Sequence, residues 1–171
     1  AAYFASKLGF IIEDKCIDSM KRQSERIKIV SWERIRDELF KILKTKKPSI
    51  GLRILQETGL MKIVFPEIDD MYGIEQTAEW NHKDIFDHTL QVVDNAAKLT
   101  DKMEIRFAAL VHDIAKPNTR RINEKKGYTF HGHDAVGERM ISRVAFRLRL
   151  SKKIKSYLEK LGYSEIHTCV T

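Results

Sequence analysis

The sequence predicts an all-α protein, and three observations carry that prediction. Only eight Gly and three Pro interrupt 171 residues, so the chain has few obligatory turns. Apolar residues recur at helical spacing over most of its length. No run of five or more residues alternates apolar and polar side chains with β-branched enrichment, so no sheet is expected.

The elements follow in order. In SWERIRDELFKILK, Ser31 is placed to N-cap a helix whose apolar stripe is Trp32, Ile35, Leu39, Ile42 and Leu43. Pro48-Ser49 restarts the chain, Leu52, Leu55 and Gln56 continue at helical spacing, and Gly59 is placed at the C-cap. A short apolar turn from Leu60 to Phe65 then ends at Pro66. The acidic segment PEIDDMYGIEQTAEWNHKD has no clear period and carries Gly73, so it reads as a connection. We place a domain boundary there, dividing the chain into 1–69 and 70–171. Beyond it, a helix over 84–99 turns Ile85, Val92, Val93, Ala96 and Ala97 inward, and Thr100 is placed to cap the helix that contains RFAALVHDIAKP. Asn118 to Thr129 reads as a charged loop, and helices over 134–148 and 151–161 follow, the last stopped by Gly162. No internal repeat of 20 to 50 residues is evident.

Composition narrows the function classes. Hydrophobic residues make up 43% of the chain and charged residues 32%, which suits a globular protein with a real core. No stretch approaches the roughly 18 apolar residues that cross a bilayer, and AAYFASKLGF lacks the pattern of a secretory signal, so no membrane partner is expected and the location is read as cytoplasmic. Cys16 and Cys169 lie far apart without CxxC spacing, which argues against a disulfide framework or a thiolate zinc site. The net charge of +7 is divided basic, acidic, basic: 14 Lys/Arg against 8 Asp/Glu over 1–66, 2 against 8 over 67–100, and 15 against 8 over 101–171. Basic segments suit a polyanion such as nucleic acid, although Lys/Arg-rich helices are more often solvated faces.

Five of the six histidines fall between 82 and 133: His82, His88, His112, His131 and His133. A His-Asp doublet at the end of the apolar helix through Phe107 to Val111 buries two strongly hydrated groups, which is costly unless something pairs with them. A metal ion is the simplest partner. Adjacent helical residues diverge by about 100°, so His112 and Asp113 can serve one ion only where the helix is ending, as Lys116-Pro117 encourages. His88 lies on the inward side of its helix near Ile85 and Val92, and His133 starts the next helix. Imidazoles mixed with a carboxylate suit a divalent cation, with Mg²⁺, Mn²⁺ and Ni²⁺ all open.

His88, the doublet His112-Asp113 and His133 resemble the HD superfamily of metal-dependent phosphohydrolases. RFAALVHDIAKP followed by YTFHGHDAVGERM more specifically resembles the HD domain of bacterial tRNA nucleotidyltransferases, the CCA-adding enzymes related to poly(A) polymerases. Upstream, FASKLGFIIED, RIKIVSWERIRDELFKIL and KPSIGLRILQETGLMKIVFPEI are similar to the neck of that family, which follows the catalytic head.

The resemblance implies an RNA-binding helical neck over 1–69 and an HD domain over 70–171, the latter expected to be cut short at its C-terminus. It implies that the adding chemistry, with ATP and CTP as substrates and Mg²⁺ as cofactor, belongs to a head that this sequence does not include, so a C-terminal fragment is expected. HD hydrolases usually complete their metal site with an Asp on a later helix, and no Asp follows Asp134 here. Ala115 stands where the family often has Gly.

The expected site is therefore His88, His112, Asp113 and His133 as metal ligands, with His131 as a further ligand or outer partner. Asp113 and Lys116 are the catalytic candidates. Lys116, Arg120 and Arg121 either neutralise phosphate oxygens or form an exposed basic loop. In the neck, Lys21, Arg22, Arg26 and Lys28 on one helix and Arg34, Arg36 and Lys41 on the next could follow a phosphate backbone. Trp80 could stack on a base, while Trp32 lies in an apolar stripe. His82 and His167 are weaker site candidates. Two functions stay open: the neck and HD portion of a CCA-adding enzyme acting on tRNA or another RNA, or a metal phosphohydrolase acting on phosphate-containing small molecules such as phosphomonoesters and cyclic phosphodiesters.

Overall fold

The computed structural model describes residues 1–75, 84–123 and 127–160. His82, Trp80, Gly162, His167 and Cys169 lie outside them. The chain runs α1 (Ala2–Leu8), α2 (Asp14–Arg22), a 3₁₀ helix (Ser24–Ile29), α3 (Trp32–Leu43), α4 (Pro48–Glu57), α5 (Leu60–Val64), α6 (Pro66–Asp69), α7 (Ile85–Leu99), α8 (Met103–Val111), α9 (Lys116–Thr119), β1 (Arg121–Asn123), β2 (Gly127–Thr129) and α10 (His133–Arg147). Residues 152–160 form a further helix.

The fold is all-α, with two corrections to the expected elements after residue 100. The segment read as a charged loop contains a small antiparallel hairpin pairing Arg121 with Thr129, Ile122 with Tyr128 and Asn123 with Gly127. Three-residue strands are too short to show alternation, which hid them. Thr100 does not cap α8: the N-cap is Lys102, which makes no side-chain cap bond. The Thr100 hydroxyl instead accepts from the Lys102 backbone N–H at 3.1 Å, ordering the turn before the helix. Two corrections also fall earlier. Pro66 opens α6 instead of only ending α5, because proline's fixed φ suits a first helical position. Lys21 to Lys28 do not share one helix, since α2 stops at Arg22 and a 3₁₀ turn begins at Ser24.

Elsewhere the capping logic holds. Ser31 Oγ accepts from Arg34 N–H at 3.4 Å, and Asp84 accepts from Phe86 N–H at 2.7 Å at the start of α7. The N-terminus of α4 is capped from another helix: Asp94 on α7 accepts from the Ser49 backbone N–H and hydroxyl at 2.9 and 2.7 Å. Helices α1 and α4 cross at Gly51, whose N–H donates to Ser6 Oγ at 2.6 Å. A Cβ at Gly51 would meet that oxygen at 2.6 Å and Ile42 Cγ2 at 2.8 Å, so the close crossing requires glycine.

One continuous hydrophobic core runs from Ala2 to Leu158 and takes side chains from both ends of the chain. Phe107 of α8 lies at its centre, with ring centroids 6.0 Å from Phe40 and 6.4 Å from Phe65. Beside it Arg106 is buried, and it donates to the carbonyls of Leu43, Thr45, Ala97 and Thr100 at 2.6 to 3.0 Å and to Asp101 at 2.9 Å. These carbonyls close the ends of α3 and α7, so one guanidinium satisfies several groups that helix termini leave orphaned. Arg147 of α10 forms a bidentate pair with Glu67 at 2.7 and 2.6 Å, tying α10 to α6.

The C-terminus of α10 closes with paired bonds, Leu150 N–H to Ala145 O and Arg149 N–H to Phe146 O, with Arg149 at φ 49°. Glycine usually fills this left-handed position, and a larger residue costs on the order of 1 kcal/mol. The Arg149 carbonyl accepts from Arg36 Nη1 at 2.6 Å, and its guanidinium pairs with Glu33.

Candidate metal centre

Helix α8 ends at Val111, as the Lys116-Pro117 signal predicts, and His112 occupies its C-cap with φ −58° and ψ −30°. The chain then turns through Asp113 to Ala115 before α9. Ending the helix here places His112 and Asp113 together on the surface facing α7, where His88 is half-buried. His88, His112 and Asp113 each offer one ligand atom, and these atoms lie within 4.8 Å of one another. The His88 and His112 rings meet edge to face with centroids 5.4 Å apart. Ala115, buried at φ −93°, needs no positive φ, so the residue is unstrained.

The hydrogen bonds fix the tautomers. His112 Nδ1 lies 2.8 Å from the Ala109 carbonyl, which can only accept, so Nδ1 carries the proton. The lone pair of neutral His112 is therefore on Nε2, 3.2 Å from Asp113 Oδ2. Two buried electron-rich atoms at that separation repel unless a cation, proton or metal, lies with them. His88 Nε2 approaches the same oxygen at 3.8 Å, and Lys116 Nζ at 2.9 Å. Burial pushes the Asp113 carboxyl up, but with a proton as that cation on His112 Nε2, hydrogen bonding and charge from His112 and from Lys116 outweigh it and hold the group well below the usual carboxylate range. Two imidazoles and an ionised carboxylate, one imidazole locked to a carbonyl through its other nitrogen, form a donor set that fits a divalent metal ion.

The remaining candidates are dispersed. His133 is the first residue of α10, after Gly132 at φ 78°, and its Nδ1 donates to the Phe130 carbonyl at 2.8 Å. It shares the tautomer of His112 but lies outside the set of ligand atoms within 4.8 Å. His131 is exposed. Lys116 is buried against Asp113, with Nζ 5.7 Å from the centroid of the Phe130 ring. Arg120 stacks on Tyr128 at 3.8 Å, and Arg121 is exposed on β1. In the N-terminal part, Lys21, Arg22, Arg26 and Arg34 are exposed, Lys28 pairs with Glu25, Lys41 with Glu38, and Arg36 reaches the Arg149 carbonyl. Trp32 is partly buried under Arg147, 5.5 Å from its ring centroid. Sequence reasoning missed the Arg120–Tyr128 stack, because the strand that presents Tyr128 was itself unseen.

Two family models match successive parts of the chain. Residues 9–72 match the family model described as the probable RNA- and SrmB-binding site of polymerase A. Residues 85–167 match the HD domain. The chain is 33% identical over 160 residues to a multifunctional CCA protein of Vibrio campbellii, an alignment covering 90% of this chain and 39% of that relative. It thus spans about two fifths of the length of the curated relative it matches. Among the described residues no helix is long and apolar enough to cross a membrane. With an RNA-binding segment followed in order by an HD segment that carries a His/Asp cluster, the chain corresponds to the neck and HD region of the CCA-adding and poly(A) polymerase family.

Proposed function

We propose that this chain is the RNA-holding neck and the HD module of a tRNA nucleotidyltransferase, an enzyme that would use ATP and CTP with Mg²⁺ to build the CCA end of tRNA in the cytoplasm. The division falls near residue 70, the neck holding RNA through Lys21, Arg22, Arg26 and Arg34. The observation that carries this reading is the ordered pair of segments, RNA-binding then HD, aligned with one multifunctional CCA protein over nine tenths of the chain. It is tested by tRNA binding: Arg22→Ala/Arg26→Ala should weaken binding and flatten its salt dependence by about 1.4 in log–log slope for two lost phosphate contacts on single-stranded RNA. Unchanged affinity and slope would contradict it.

A second activity is favoured by the grouping of half-buried His88 with buried His112, Asp113 and Lys116: hydrolysis of phosphomonoesters or cyclic phosphodiesters. A divalent ion, Mg²⁺, Mn²⁺ or Ni²⁺, would be held by His88, His112 and Asp113, with His133 and His131 as further candidates. When bound, such an ion supplies an acidified water and polarises a phosphoryl group. The chain's own residues prepare that chemistry. Lys116 beside Asp113 favours its ionised form, Ala109 holds the His112 ring in one tautomer, and the same lysine adds a fixed positive charge against phosphate oxygens. Arg120 and Arg121 extend that charge outward. Hydrolysis of p-nitrophenyl phosphate or 2′,3′-cyclic AMP by the metal-supplemented chain, lost in His112→Ala, is the expected result; no hydrolysis in the parent chain would remove this second reading.

A further inference from the structure

Helix α10 buries Ile141, Val144, Ala145 and Leu148, which turns Arg139, Arg143 and Phe146 outward at i, i+4 and i+7. Phe146 is 82% exposed, a large apolar ring in water beside guanidinium groups. Among the described residues no carboxylate pairs with Arg139 or Arg143, and Glu138 is the one acidic side chain shown exposed on this helix. Past the helix end the stripe opens into a cleft of about 590 Å³ between Trp32, Phe146, Arg149 and Lys155. Arg149 holds a left-handed backbone position there that glycine would occupy without strain. Its ion pair with Glu33 is exposed, a kind of contact that contributes little to stability. Arg149 thus adds an exposed positive charge to the lining of the cleft. Trp32 and Glu33 belong to the segment matching an RNA-binding site, so the cleft continues that surface onto α10.

We propose that this stripe and cleft bind single-stranded RNA, with Phe146 stacking on a base and Arg139, Arg143 and Lys155 taking phosphates. The inference rests on the reading of the neck as RNA-binding and extends it to the HD side. An exposed flat ring flanked by cations at one-turn spacing is the combination that stacks bases while tracking a phosphate backbone. An acidic protein would be drawn by the cations and would gain little from the ring.

The test is fluorescence anisotropy with a fluorescein-labelled single-stranded RNA of about 12 nucleotides, within the usual site size of such surfaces. It compares the full chain with Phe146→Ala, Phe146→Trp, Arg139→Ala/Arg143→Ala and Arg22→Ala/Arg26→Ala. All these positions are exposed, so the helical circular dichroism should be retained. Phe146→Ala should weaken binding at least about fivefold while Phe146→Trp preserves it. Arg139→Ala/Arg143→Ala should lower the salt slope by about 1.4. Wild-type affinity and slope in the α10 variants, with loss in the neck variant, would overturn this proposal and leave the neck reading standing. Loss in the α10 variants alone would sustain it and overturn the neck reading, and no RNA binding by the parent chain would overturn both. Competition by polyglutamate equal to that by RNA, with Phe146→Ala indifferent, would identify an unspecific anion patch and also overturn it.

Discussion

Lys116 Nζ lies 2.9 Å from Asp113 Oδ2, and both side chains are buried. A buried ion pair broken from one side leaves an uncompensated charge, at a cost of about 3–5 kcal/mol. Lys116→Met should therefore destabilise the chain by roughly that amount, and Mn²⁺ should recover more stability in the variant than it adds to the parent, because it replaces the missing cation at Asp113. Thermal unfolding with and without Mn²⁺ measures both quantities. Equal increments in the two proteins would mean that ion and lysine do not share the carboxylate.

Arg106 offers a second, purely structural prediction. Arg106→Met removes donors from the carbonyls of Leu43, Thr45, Ala97 and Thr100. Hydrogen bonds to charged groups contribute about 1.5–3 kcal/mol each and are not additive, so a total loss of at least about 3 kcal/mol is expected. For a chain of this size that corresponds to a fall in Tm of roughly 10 °C. A fall of only a degree or two would mean that water takes over the carbonyls.

At Gly51 two effects compete. Alanine favours a helix interior by about 1 kcal/mol, yet its Cβ would stand 2.6 Å from Ser6 Oγ and 2.8 Å from Ile42 Cγ2. Overpacking costs about 1–3 kcal/mol, so Gly51→Ala should be net destabilising. Gly51→Ala/Ser6→Ala should recover only part of the loss, since the Ile42 contact stays. Urea denaturation of the three proteins decides it, and a more stable single variant would show that α1 and α4 separate easily.

Acid sensitivity has a traceable source in Glu104. Its hydrogen bond and charge pairing with Lys153, at 2.9 Å, hold its carboxyl below the ordinary value. A carboxyl depressed in the folded state stabilises above its unfolded pKa, and that contribution is lost as pH falls through the folded pKa. Lys153→Ala should thus lower stability at neutral pH and change it less below about pH 4.5. Denaturation curves across that window check it. A variant deficit that grows on acidification would carry the wrong sign.

The helical framework was legible because it depends on local signals: the Ser31 cap, Pro48 and the apolar stripe of α3 each act within a few residues. The core of the candidate site was legible for the same reason. A His-Asp doublet at the end of an apolar run announces its own cost, and helix spacing puts His88 on the inward face of α7, although its approach to the doublet comes from the packing of α7 on α8. What escaped depends on distant partners. Arg106 reads as one more charge in an amphipathic stretch until four carbonyls from separate elements converge on it. Asp94 caps a helix 45 residues earlier. The β1–β2 hairpin is too short for any periodicity, so the Arg120–Tyr128 stack it creates had no signal in the chain.

We propose that His88, His112 and Asp113 hold one divalent cation. The most direct test is calorimetric titration of Mn²⁺ into the full chain and into Asp113→Asn, which keeps the side chain's shape while removing its charge. One-to-one binding in the parent that is lost in the variant is expected, with both proteins equally helical by circular dichroism. Absence of binding in the parent, or equal binding in both, would contradict it.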